Sequence, residues 1–306
     1  MTQNRLAIGI LCTLLGAIAW GFSGTCIQFL FSSSSLDALL LTTIRQLGAG
    51  LVFAIALAIR RSGDLRLMLR DRTTVLRLII FGTCGLFLNS VLYAATVMYT
   101  NAGTATVLQS LNIVFALGIT CIVARRIPYR LEMLALICAL LATFLIATHA
   151  DPSSLKLPAL GLGLGLATAA AATFYTMYPK PLFEQWGSWP VTGMGMLVGG
   201  LTGVVACGVT GTFARGLPSL DTMSVFVLAC AVLLGTCVSY GLFLHGISVI
   251  GPVAGNMLGA AEPVSATVLS ALWLGTAFSW ADWAGLVLMV ATIVLIALQS
   301  RCLSDK

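Results

Sequence analysis

The chain is 306 residues long, 59% of them apolar and only 8% charged, with a mean hydropathy of +1.02. An ordinary soluble domain carries about 25% charged residues, so a water-soluble globule is excluded. Sixteen Lys and Arg against ten Asp and Glu leave a net charge of +6, and in so apolar a chain that excess points to a bilayer and not to nucleic acid.

A membrane-crossing helix needs about 20 mostly apolar residues. Such runs recur at 6–31, 37–59, 75–98, 102–124, 131–149, 159–178, 190–210, 223–245, 252–274 and 281–299. They predict an all-α integral membrane protein of ten transmembrane helices with short loops. The first run follows Arg5 and contains Ala17-Ile18-Ala19, the small-x-small form of a cleavage site, but it stays apolar to Phe31 and is read as a true span. Eight of the nine cysteines (Cys12, Cys26, Cys84, Cys121, Cys138, Cys207, Cys230 and Cys237) lie inside these runs without zinc or redox spacing, as small packing residues would.

Lys and Arg set the orientation. With a cytoplasmic N-terminus, Arg5, the cluster Arg60, Arg61, Arg66, Arg70, Arg72 and Arg77, the cluster Arg125, Arg126 and Arg130, Lys180, Arg301 and Lys306 all fall inside. Only Lys156 and Arg215 fall outside. The positive-inside rule therefore predicts two cytoplasmic termini in a cell (inner) membrane. Trp186 and Trp189 flank the inner end of the seventh span, and Trp273, Trp280 and Trp283 bracket the turn after the ninth, as interface anchors do. Trp20 instead lies about 20 Å into the first span.

An offset of 150 lays Asn112-Ile113 on Glu262-Pro263, Arg126 on Thr276 and Ala135 on Gly285. The chain thus divides into halves 1–150 and 151–306. Five spans per half is odd, so the second copy enters the membrane from the opposite side, and a solute is expected near the midplane between the halves.

Trp20-Gly21, Arg45, the Asn101-Ala102-Gly103-Thr104-Ala105 opening of the fourth span, Glu262-Pro263-Val264 and Leu274-Gly275 occur in this order over nearly the whole chain. In these residues it resembles two EamA repeats of the drug/metabolite transporter superfamily. Three positions depart from that pattern: Thr276 stands where the acidic residue of Leu-Gly-Glu is usual, Arg126 is its first-half counterpart, and Ile113 replaces a Pro. The resemblance implies a basket of two five-helix halves around a cavity that moves small polar metabolites, often amino acids and often outward. It also implies that a single chain suffices as a monomer.

Ionisable groups at membrane depth mark candidate sites. Glu262 lies roughly 15 Å into the ninth span and Arg45 roughly 12 Å into the second, at similar depths. Glu262 binds a substrate ammonium or takes up a proton in this reading, and Arg45 holds a carboxylate, as suits a zwitterion. The alternatives are that the two pair with each other, that Arg45 snorkels, or that each satisfies backbone freed by a nearby Pro or Gly. Further candidates for the cavity wall are Trp20, Ser23, Asn89, Tyr93, Gln109, Asn112, Tyr175, Tyr178, Tyr240 and Asn256, each of which can also serve simply to bond across helices. Gln46 directly follows Arg45, and because helical neighbours point in different directions its facing is left open.

Gly251, Gly255 and Gly259 lie at four-residue spacing in the ninth span, with Pro252 at the start of this register, and Pro263 interrupts the span. Close helix packing is one reading of this register and a gating hinge the other. The runs Gly161-Leu162-Gly163-Leu164-Gly165 and Gly195, Gly199, Gly203 read in the same two ways. His149 and His245 are too far apart for a metal motif, and neither a metal nor a cofactor is predicted. No phosphate loop, His-Glu-x-x-His or Gly-x-Ser-x-Gly pattern speaks for an intramembrane enzyme. A secondary transporter exporting amino acids leads, with a lipid flippase or scramblase, an uptake carrier for another metabolite, and a structural subunit as the other readings.

Overall fold

Backbone amides in hydrocarbon must be satisfied within their own segment, so an apolar chain without closed strands is forced into helices. The computed structural model describes residues 3–59, 63–149, 157–215, 219–250, 258–259 and 261–304, and all regular elements among them are helical. In order they are α1 (Gln3–Ser33), α2 (Ala38–Ile59), α3 (Gly63–Arg70), α4 (Arg72–Ile80), a π segment (Phe81–Phe87), α5 (Leu88–Tyr99), α6 (Ala102–Gln109), α7 (Asn112–Val123) and α8 (Arg130–Thr148). The second half has α9 (Ala159–Met177), α10 (Lys180–Trp186), α11 (Ser188–Val209), a short turn of 3-10 helix (Phe213–Arg215), α12 (Thr222–Val232), a second π segment (Leu233–Val238), α13 (Ser239–Ile250), α14 (Ala261–Leu274) and α15 (Trp280–Ser304).

Among the described residues seven stretches are long and apolar enough to cross a membrane: Arg5–Ser33, Ala38–Ile59, Arg72–Tyr99, Ala102–Val123, Ala159–Trp186, Ser188–Val209 and Thr222–Phe243. Ala261–Leu274 and Trp280–Leu295 are shorter apolar helices, and the 19 residues of α8 reach about 28 Å. Ile55, Ile122, Val209 and Val287 project from the bundle more than half exposed, the apolar exterior that a lipid-facing surface requires.

Three spans expected to be regular are not. In the fourth, Ser110 and Leu111 form a turn between α6 and α7. The Ser110 hydroxyl donates to the Thr106 carbonyl at 2.9 Å, and the amides of Leu111 and Val114 turn to carbonyls three residues back, tightening the helix locally. The third and eighth spans each contain a π segment, and the offset of 150 carries Gly85 of the first onto Gly235 of the second. Loosened backbone of this kind leaves carbonyls available to side chains from other helices; Gln46 Nε2 donates to the Leu86 carbonyl at 2.9 Å.

Small residues fix the closest approaches. A Cβ on Gly50 of α2 would come within 2.6 Å of Leu197 Cα, and one on Gly200 of α11 within 2.5 Å of Leu47 Cα; the two glycines are related by the same offset. In α11, Gly195, Gly199 and Gly203 all face tight neighbours, as the packing reading requires, whereas a Cβ on Gly163 would meet nothing within 4 Å.

The carboxylates mostly hold helix ends. Asp37 accepts from the Leu40 amide at 2.6 Å, Asp71 from the amides of Thr73 and Thr74, and Asp221 from that of Ser224 at 3.1 Å. Glu132 accepts from the Tyr129 amide at 2.8 Å, and Asp282, one repeat later, from the Ser279 amide at 2.8 Å. Hydrogen bonds from the Thr74 hydroxyl and amides hold the Asp71 carboxyl below its ordinary range, and those from Ser224 do the same for Asp221. Among the described residues the Glu262 carboxylate caps no helix end.

Candidate functional site

Two connected cavities run into the bundle. A chamber of about 100 Å³, measured as the space open to the centre of a water molecule, lies between α1, α2, α5, α13 and α14. A vestibule of about 600 Å³ on the same measure leads from it to the end of the bundle that carries Arg126 and Glu132. Trp20, Gln109, Tyr175 and Glu262 line both and form a collar between them.

Arg45 stands in the chamber wall, about 10 Å along α2. Its Nη2 donates to Ser23 Oγ at 2.6 Å and to Thr236 Oγ1 at 3.4 Å, while its Nε is buried without a partner. Among the described residues no carboxylate comes within 4.0 Å of it, so the pairing of Arg45 with Glu262 does not form here. The Glu262 carboxylate likewise has no ion pair among the described residues. Asn89 lines the same chamber with its Oδ1 buried and unpartnered. Tyr93, one turn on, also lines it, its hydroxyl 2.9 Å from Thr106 Oγ1. The Trp20 indole meets Tyr240 edge-on at 4.9 Å between ring centres and Phe243 at 4.6 Å.

Nine of the predicted site residues therefore share the chamber: Trp20, Ser23, Arg45, Asn89, Tyr93, Gln109, Tyr175, Tyr240 and Glu262. Asn112, Gly259 and Pro263 line the vestibule, and the Asn112 carbonyl accepts from Thr173 Oγ1 at 3.1 Å. Tyr178 differs from expectation. It lines neither cavity, because at the end of α9 its ring stacks on Phe174 at 4.8 Å and packs against the cluster around Leu182 and Met196. Asn256, Gly251 and Gly255 lie outside the described residues.

Gln46 is the chamber residue the sequence left open. It is 6% exposed and donates to Ser90 Oγ at 2.9 Å as well as to Leu86. Helical neighbours are about 100° apart, so Arg45 and Gln46 flank the line through Thr42, one turn earlier, and all three reach the same space. The i, i+3, i+4 spacing of Thr42, Arg45 and Gln46 was the usable signal.

The opposite end of the bundle is shut. Gln28 of α1 donates from Nε2 to Thr276 Oγ1 at 2.8 Å and accepts the Ala102 amide on Oε1 at 2.8 Å, tying three chain segments together. Phe22 and Phe29 stack on Trp273, with ring centres 6.0 and 5.5 Å away. Beneath them Cys26, Ile27, Leu30, Leu41 and Ala94 are packed with 0% exposure. At the open end Arg126 grips Glu132 through two bonds of 2.7 and 2.8 Å and lies 4.4 Å over the Tyr129 ring. Those bonds raise the Arg126 guanidinium further above its ordinary value.

A lipid-faced helical bundle enclosing a polar chamber, open at one end and shut at the other, defines a multi-pass membrane transporter. The EamA-like transporter family matches the chain twice, over residues 7–148 and 159–298, and the chain belongs to that family. It is 35% identical to an uncharacterized inner membrane transporter, YicL, of Salmonella typhimurium, over 96% of both chains. A protein known from its crystal structure superposes with a TM-score of 0.64 over 99% of both chains at 19% identity, which shows a shared fold.

Proposed function

We propose that this protein is a secondary transporter that exports small polar metabolites, amino acids foremost, by alternating access through the chamber between its two inverted halves. The observation that carries this reading is a half-buried Arg45 and a collar Glu262, neither with a countercharge among the described residues, in one small chamber reached by a wide vestibule. Burying a charge without a partner is costly, and a solute with a carboxylate and an amine relieves both costs at once. Tight, self-satisfied pairing would have argued for a structural role instead.

The Lys and Arg distribution supports a cytoplasmic position for both termini and the Arg126 end, in a cell membrane such as the inner membrane named for the Salmonella relative. The vestibule then opens inward, where an exporter collects its solute. The ten-span count and the halves 1–150 and 151–306 complete the proposal, since they give a pseudo-twofold in the membrane plane. One chain holds the whole cavity, so the monomer suffices.

The test is uptake of labelled amino acids into proteoliposomes, with and without an imposed pH gradient. Saturable flux without nucleotide supports the reading. Absence of flux for every amino acid, with flux of another metabolite or of a labelled lipid, overturns the amino-acid assignment.

A further inference from the structure

The sizes and walls of the two compartments differ in a way that bears on selectivity. On one and the same measure the chamber is about 100 Å³ against about 600 Å³ for the vestibule. The narrow chamber suits the amine, Cα and carboxylate of an amino acid, and the vestibule holds the room for a large side chain. In the vestibule polar Thr106, Ser110, Thr120 and Thr176 share the lining with apolar Ile113, Leu117, Phe243 and Ile293.

We infer that the chamber reads only the charged head of an α-amino acid and that the side chain passes the collar into the vestibule unread, so that the carrier selects its solutes by carboxylate and amine and not by side chain. This rests on the function proposed above and specifies how that site chooses. The carboxylate sits at Arg45, whose free Nε adds to the donors already steered by Ser23 and Thr236. The ammonium lies towards the collar, where Glu262 supplies charge and Asn89 Oδ1 an unused acceptor. With both charges fixed, the bond from Cα to the side chain has one roomy direction, through the ring of Trp20, Gln109, Tyr175 and Glu262. A wall that mixes hydroxyls with apolar groups offers polar and apolar side chains comparable surroundings, and the width of the vestibule leaves room for either to keep its hydration.

The test is inhibition of labelled alanine uptake into proteoliposomes by unlabelled alanine, leucine, glutamine and phenylalanine, each also offered as its methyl ester and its N-acetyl derivative. The four free amino acids should inhibit at concentrations within about tenfold of one another, and capping either charge should weaken inhibition by about 100-fold, as loss of one partner of a buried charge pair does. Glu262→Gln should erase most of the N-acetyl penalty and keep the ester penalty. Arg45→Gln, which removes the positive charge, should do the reverse, and as both are ratios within one variant they do not depend on how much folded protein each yields. A spread above 100-fold among the free amino acids, or capped forms that inhibit as well as free ones, overturns the inference and leaves the transport function standing. Failure of alanine with uptake of another of the four also overturns the inference and leaves the function standing, whereas failure of all four overturns the underlying function and this inference with it.

Discussion

Gln28 is the most economical place to test the alternating-access reading. Its carboxamide makes two bonds of 2.8 Å across the shut end, to Thr276 and to the Ala102 amide. A hydrogen bond contributes about 0.5–1.5 kcal/mol net, so Gln28→Ala removes about 1–3 kcal/mol from this state alone. That is a shift of about 5–150-fold in the balance between states. Ser90 lines the chamber, and a cysteine placed there in a background without the native cysteines reports access. Its reaction with a membrane-impermeant thiol reagent applied from the Thr276 side should speed up by about 5–150-fold in Gln28→Ala. The repeat relation adds a prediction of opposite sign. It carries Gln28 onto Tyr178 and Thr276 onto Arg126, so in the state open at the Thr276 end the Tyr178 hydroxyl should meet the Arg126 guanidinium. Tyr178→Phe should therefore slow the same reaction by about tenfold, a hydrogen bond to a charged group being worth about 1.5 kcal/mol or more. Equal rates in wild type and Gln28→Ala, or changes of the same sign in both variants, would refute the reasoning.

Other outcomes follow from the geometry. Ser23→Ala removes the 2.6 Å bond that steers Arg45 and should raise the KM for uptake by about tenfold or more, with a smaller effect on the maximal rate. Gly200→Leu forces a side chain against the Leu47 backbone, and should destabilise the bundle by about 1–3 kcal/mol, read as a lower Tm in detergent. Asp71→Ala should lower the Tm at neutral pH by uncapping α4. Because the folded-state pKa of Asp71 is depressed, its contribution is complete above the unfolded value of about 3.9 and fades as pH falls through the lower folded value. The difference between wild type and Asp71→Ala should shrink on acidification, and a constant difference would contradict that assignment.

The class of the protein was legible in the chain, as were most of the residues that line its cavities, because both depend on composition and spacing. Apolar runs of span length can only be helices in a bilayer, and buried ionisable groups are rare enough that Arg45 and Glu262 stand out in a bare sequence. The offset of 150 also anticipated equivalent places, since Glu132 and Asp282 hold matching helix starts and Gly50 and Gly200 matching crossings. What periodicity cannot carry is the local breaking of a helix. The turn at Ser110 and Leu111 and the π segments at Phe81–Phe87 and Leu233–Val238 depend on hydrogen bonds exchanged with side chains and on packing against other helices. Facing was undetermined for the same reason. Tyr178 and Tyr175 belong to one span and both looked like cavity residues, yet the rotation of α9 against its neighbours puts only Tyr175 in the collar. Whether Arg45 meets Glu262 depended on the spacing of α2 and α14, which no property of either segment fixes. Close contact across glycines sets where each helix lies, and those positions leave the two charges apart, with the chamber between helices that the sequence could only name.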